Sequence, residues 1–182
     1  MPAVPVAYGL FGYGTAAMTY GLYLLTGFPP ASGGEEARRV RAALAANGFC
    51  FGGIAQLLTS ILLFVFTGDA LSATTFGIFG VLWIAIWLND YFNLDPRPLV
   101  YLDIAIVIWT ILSGAWSLAL GHPVLAALLW SITVLCILLC LVHGRGSAAK
   151  PAGFMAVETA VLAYYISAAV IFQVALRFPL PF

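Results

Sequence analysis

Residues 124–143 read VLAALLWSITVLCILLCLVH, an unbroken run in which the only ionisable side chains besides the two cysteines is the final one, His143. A helix rises about 1.5 Å per residue, so these twenty positions reach about 30 Å, the thickness of a bilayer's hydrocarbon core. The tight turn Gly121-His122-Pro123 precedes the run, and a polar loop over residues 144–151 follows it. Moving outward in both directions, the pattern repeats. The apolar stretches predict helices over residues 4–26, 42–66, 72–91, 99–120, 124–143 and 152–176, separated by short segments rich in Gly, Pro and charge.

Composition says the same of the whole chain. Of 182 residues, 63% are hydrophobic and 8% charged, with seven Lys and Arg against seven Asp and Glu and a mean hydropathy of +1.06. A soluble domain is about a quarter charged, so this chain lacks the polar surface of a cytosolic enzyme or a secreted domain. It also lacks the basic excess of a nucleic-acid binder, and no nucleic acid is expected as a partner. Strands of a membrane barrel would alternate and read far less apolar. The expected fold is a single all-α integral membrane domain over residues 1–182, with six transmembrane helices. The first apolar run follows Met1 almost directly, with no small-residue cleavage site behind it, and reads as a helix rather than a signal peptide.

Orientation follows from the loop cations. Arg38, Arg39, Arg41, Arg97, Arg145 and Lys150 fall in or beside loops on one side, and Arg177 stands on the other. This places the loops 27–41, 92–98 and 144–151 in the cytoplasm and both termini outside a cell (inner or plasma) membrane.

Few polar residues lie within the spans, and charged ones there are functional candidates by default. Asp103, about a turn past Pro98, reads either as an interfacial residue facing headgroups or as a group within the span. Glu158 is open in the same way: it could reach the interface or line a vestibule. Gln56 is deeper, and its amide can donate and accept across a helix contact. Asn89 marks the end of the third helix. His122 and His143 sit at opposite ends of the fifth helix, about 32 Å apart along its axis, too far to share a metal or a catalytic centre. Cys50, Cys136 and Cys140 lie in apolar runs and read as packing residues. No nucleophile elbow, His-Glu-x-x-His pair or phosphate-binding loop is present. The chain reads as no enzyme, with no metal and no cofactor.

Small residues carry more information. Gly9, Gly12, Gly14 and Gly21 in the first helix, Gly48, Gly52 and Gly53 in the second, and Gly77 and Gly80 in the third let backbones approach closely. Aromatic residues stand beside them: Tyr13 between Gly12 and Gly14, Phe51 before Gly52, Phe79 before Gly80. An aromatic beside such a crossing can project into a narrow lumen as a hydrophobic constriction.

Taken in order, Gly9-Leu10-Phe11-Gly12-Tyr13-Gly14, Phe51-Gly52-Gly53-Ile54-Ala55-Gln56, residues 75–83, Ser131-Ile132-Thr133 and Ala152-Gly153-Phe154 resemble the acetate uptake transporter family, the succinate–acetate permeases of the YaaH/SatP type. The resemblance implies six-helix protomers assembled as a ring-like hexamer, each with its own solute pathway, and a gate that falls here on Tyr13, Phe79 and Ile132. The family's N-terminal Asn-Pro-Ala-Pro-Leu-Gly-Leu becomes residues 4–10, VPVAYGL, and Leu63 stands where a carboxylate is expected. Residues 89–98, Tyr20-Gly21-Leu22-Tyr23 and Glu158 are similar instead to the urea and amide channels of the AmiS/UreI type, whose tryptophan-rich fifth helix keeps only Trp130 here. Gln56, Asn89, Trp130 and Glu158 are accordingly the pathway or packing candidates. The expected function is a permease or channel for very small solutes, first of all short monocarboxylates such as acetate, moving as the neutral acid or with a proton. Urea and short amides form the alternative substrate class, and a non-transporting membrane subunit the alternative role.

Overall fold

The structure is a computed structural model that describes residues 3–27 and 34–177. Among the described residues it is all helix and turn. We number its helices α1 (Ala3–Thr26), α2 (Gly34–Thr67), α3 (Ala70–Phe92), α4 (Leu99–Ala119), α5 (Pro123–Arg145) and α6 (Ala149–Leu176).

The punctuation is local chemistry. Gly68 takes a left-handed conformation (φ 69°) to end α2, and its amide donates back to the Phe64 carbonyl. The next residue, Asp69, caps α3 by accepting from the Ser72 amide at 3.0 Å. Pro123 opens α5, where a missing amide hydrogen costs nothing. Between α3 and α4, Asp95 accepts from both the backbone amide and the side chain of Arg97. The Arg97 guanidinium is the main reason that the Asp95 carboxyl is held down to about 2.

One boundary differs from the sequence expectation. The second helix begins at Gly34, not near residue 42, so most of the polar stretch before it is helical. Glu35 and Glu36 lie in its first turn, where they favour the amide end of the helix dipole. Arg38 and Arg39 stand three and four residues after Glu35 and pair with it. Charge pairing thus extends a helix that hydropathy alone would start later.

Within α2, residues Gly48–Ile54 form a π-helical segment. It holds three glycines against bulky neighbours. A Cβ on Gly52 would lie 2.3 Å from the Trp83 ring, and one on Gly12 would lie 2.4 Å from the Phe51 carbonyl oxygen. The widened turn and the missing side chains let α1 and α3 approach α2 at one level.

Each helix packs against its neighbours in sequence, and α1 against α6 closes the circle. The α1–α6 contact is backbone on backbone, with Gly21 and Gly153 each facing the other's carbonyl oxygen. Polar side chains link neighbours around the ring. Tyr164 donates to Thr15 at 3.1 Å, Ser167 to the Ala7 carbonyl at 2.8 Å, and Trp109 Nε1 to Thr75 at 3.1 Å, while Thr110 and Thr133 share a hydrogen bond of 2.7 Å. Such bonds hold helices together where lipid removes the hydrophobic drive between them.

The outside is apolar. Phe66, Phe64, Leu112, Ile108, Trp116 and Phe154 are all more than half exposed. Side chains of this kind on every helix exceed what a soluble monomer tolerates and suit contact with acyl chains. Five helices, α2 to α6, are long and apolar enough to cross a membrane. The remaining helix, α1, has the length, but its four glycines and four tyrosines dilute its hydropathy.

Candidate functional site

Inside the ring, two cavities lie end to end. One of about 240 Å³ is lined by residues of all six helices and lies toward the basic loops, with Arg41, Asn89, Asp90 and His143 in its wall. The other, of about 80 Å³, lies toward the opposite end, with Gln56, Thr75, Ser113 and Ser117 in its wall. Tyr13, Phe79 and Ile132 line both. They come from α1, α3 and α5, alternate members of the ring, and are 4%, 5% and 3% exposed. These are the three positions expected to form a constriction, and all three stand in the wall, or septum, that the two cavities share.

The septum is held by aromatic and polar contacts. The Tyr13 and Phe79 ring centroids are 5.9 Å apart, with Trp83 and then Tyr20 continuing the aromatic series into the larger cavity. Tyr13 donates its hydroxyl hydrogen to Thr159 of α6 at 3.0 Å, which fixes the position of its ring.

Each cavity has an unpartnered buried polar group in its wall. Gln56 is fully buried, and neither its amide nitrogen nor its amide oxygen has a hydrogen-bond partner. In the larger cavity the Trp83 indole N–H is likewise unpaired. Leaving a buried donor or acceptor unpaired costs about 1–3 kcal/mol, so each such group needs an explanation.

The other sequence candidates divide. Asn89 is 7% exposed and lines the larger cavity. Glu158 is partly buried and accepts from Ser131 at 3.2 Å, its second carboxylate oxygen unpaired, but it lines neither cavity. Trp130 is 40% exposed and packs its indole over Gly114, where a Cβ would lie 2.5 Å from the indole nitrogen. It belongs to the α4–α5 contact and the outer face, and it lines neither cavity.

Asp103 corrects the interfacial reading. It is fully buried, and its Oδ2 lies 2.8 Å from Nδ1 of His143 across the α4–α5 hairpin. Cys136 and Cys140 are within electrostatic range of Asp103, so a carboxylate stands near both cysteines. Among the described residues, no group of three or more His, Cys, Asp or Glu side chains is placed to hold a metal. Tyr20 donates to Asp90 at 3.1 Å in the same cavity, and Asp90 feels both His143 and Arg41. This cluster was not visible as a unit in the sequence. One signal could have found it: counting outward from the turn at His122, Asp103 lies 19 residues back and His143 21 residues forward, so an antiparallel hairpin sets them side by side.

The fold and its apolar exterior define a membrane protein with transmembrane helices. No family model matches the chain, and neither the curated proteins nor the solved structures provide a match.

Proposed function

We propose that the protein is a six-span membrane permease for very small neutral solutes, above all short monocarboxylic acids in their protonated form. One observation carries this reading: two cavities meet end to end at Tyr13, Phe79 and Ile132, inside a ring of helices. A subunit whose only role was to bind a partner would have no use for stacked voids on its axis.

Physical chemistry selects the solute class. An isolated carboxylate moved into an apolar interior costs on the order of tens of kcal/mol by Born solvation, and protonation avoids that cost. Neither Lys nor Arg lines the septum or the smaller cavity, so nothing there compensates a bare anion. Gln56 sharpens the selection. A carboxamide offers one donor and one acceptor side by side, which match the C=O and O–H of a carboxylic acid but only half match a carboxylate.

The same amide matches the C=O and N–H of urea or a short amide, and this favours them as a second substrate class. By the loop charges, the larger cavity opens to the cytoplasm and both termini lie outside an inner or plasma membrane. Assembly as a hexamer belongs to the same proposal and rests on the family resemblance. Native mass spectrometry of the detergent-solubilised protein should return six copies, and a monomer would remove that part. Uptake of labelled acetate, acetamide and urea into proteoliposomes tests the transport reading. Flux above protein-free vesicles is expected for the acid at low pH, and no flux of any of the three would end it.

A further inference from the structure

The larger cavity contains a cluster that a neutral-solute pathway does not by itself require. His143 lines it, with Nδ1 2.8 Å from Oδ2 of Asp103. Facing an ionised carboxylate, Nδ1 is the nitrogen that carries the hydrogen and donates it, which leaves Nε2 as the acceptor of the neutral ring. Asp103 is fully buried, and its second oxygen, Oδ1, has no partner. A buried carboxylate held against one ring nitrogen fixes the orientation of the ring, as the acid of a carboxylate–histidine pair does. Arg41 and Asp90 line the same cavity, and Tyr20 and Tyr23 face it from α1. Cys136 of α5 lines it too, and Cys140 lies within range of Asp103.

We propose that Asp103 and His143 form a proton-exchange site for short carboxylic acids on the basic-loop side of the septum, with Arg41 receiving the carboxylate. The inference rests on the transport reading above and adds a place where the acid ionises. The neutral acid crosses the septum, and its O–H bond breaks as a new N–H bond forms at Nε2 of His143. The electron pair of the broken bond stays on the carboxylate oxygen. The anion pairs with Arg41 and leaves through the basic-loop end, and the imidazolium passes its proton to water there. Run backwards, the same steps load an acid for passage in the other direction. Amides and urea carry no such proton and bypass the site.

The test uses the intact protein in proteoliposomes that enclose a pH-sensitive dye, with protein-free vesicles as background. Wild type, Asp103→Asn and His143→Gln are compared for acetate-driven acidification across pH 5–8 and for labelled acetamide uptake. Gln at position 143 keeps a donor for Asp103, so the helix contact survives while the base is lost. Both variants should slow acetate-driven acidification about tenfold and flatten its pH profile, with acetamide uptake within about twofold of wild type. An unchanged acetate rate and pH profile in both variants would overturn the proposal. So would a parallel fall in acetate and acetamide, because that marks a structural role. Acetamide flux without acetate flux in the wild type would overturn it while leaving a permease. A wild type that moves neither solute removes the transport reading itself.

Discussion

At Gln56 the two orphaned amide atoms and the side chain's complete burial pull in opposite directions, because stability alone would favour a hydrocarbon of the same shape. Gln56→Leu therefore separates function from folding. A single lost hydrogen bond of roughly 0.5–1.5 kcal/mol predicts a fall in solute flux of about twofold to tenfold. The melting temperature of the detergent-solubilised protein should hold or rise. A lower melting temperature with unchanged flux would make the residue a structural one. Phe79 presents the converse case. Phe79→Ala removes a ring from the septum between the cavities and should raise flux several-fold, measured against protein that still elutes as one symmetrical peak. Unchanged flux in such protein counts against the septum as the gate.

Among the elements, the π-helical segment of α2 is the least tolerant of change. Gly52 lies under the Trp83 ring so closely that even a methyl group has no room, and the contact is with a rigid indole rather than a flexible chain end. Overpacking of this kind typically costs about 1–3 kcal/mol. Gly52→Ala should lower the melting temperature, with a smaller loss for Gly77→Ala, whose nearest neighbour is the Ser60 hydroxyl at 3.1 Å. The Asp95–Arg97 pair between α3 and α4 is exposed, and exposed pairs contribute little. Asp95→Asn should leave the melting temperature unchanged. Because its folded pKa lies below the ordinary carboxylate value, any contribution is present at neutral pH and fades only as pH falls toward 2.

Helices were legible as elements because each apolar run is bounded by Gly, Pro or charge. Their partners were less so. Glycine beside an aromatic pointed to Tyr13 and Phe79, which line both cavities, and equally to Phe51, which is 41% exposed and lines neither. Trp130 carried no such signal and turns outward over Gly114. The start of α2 was misplaced because hydropathy does not register the pairing of Glu35 with Arg38 and Arg39. Asp103 was read from its distance to Pro98 alone, whereas its environment is set by a residue 40 positions away.

For the whole molecule, the ring of six helices explains why so apolar a chain keeps any polar groups inside. Threonines, serines and tyrosines tie neighbouring helices together, and the unpaired Gln56 amide and Trp83 indole stand in the walls of the two cavities. Charge is concentrated at the basic-loop end, where Arg41, Asp90 and His143 line the larger cavity, and the septum carries none. A molecule that crosses must shed its charge at one end and can recover it at the other. The most direct test is the initial rate of labelled acetate entry into proteoliposomes, measured at pH 5 and pH 7.5 at equal total acetate with protein-free vesicles subtracted. The account predicts a protein-dependent rate that rises with the fraction of neutral acid. A protein-dependent rate that follows the acetate anion, or no protein-dependent rate at either pH, would contradict it.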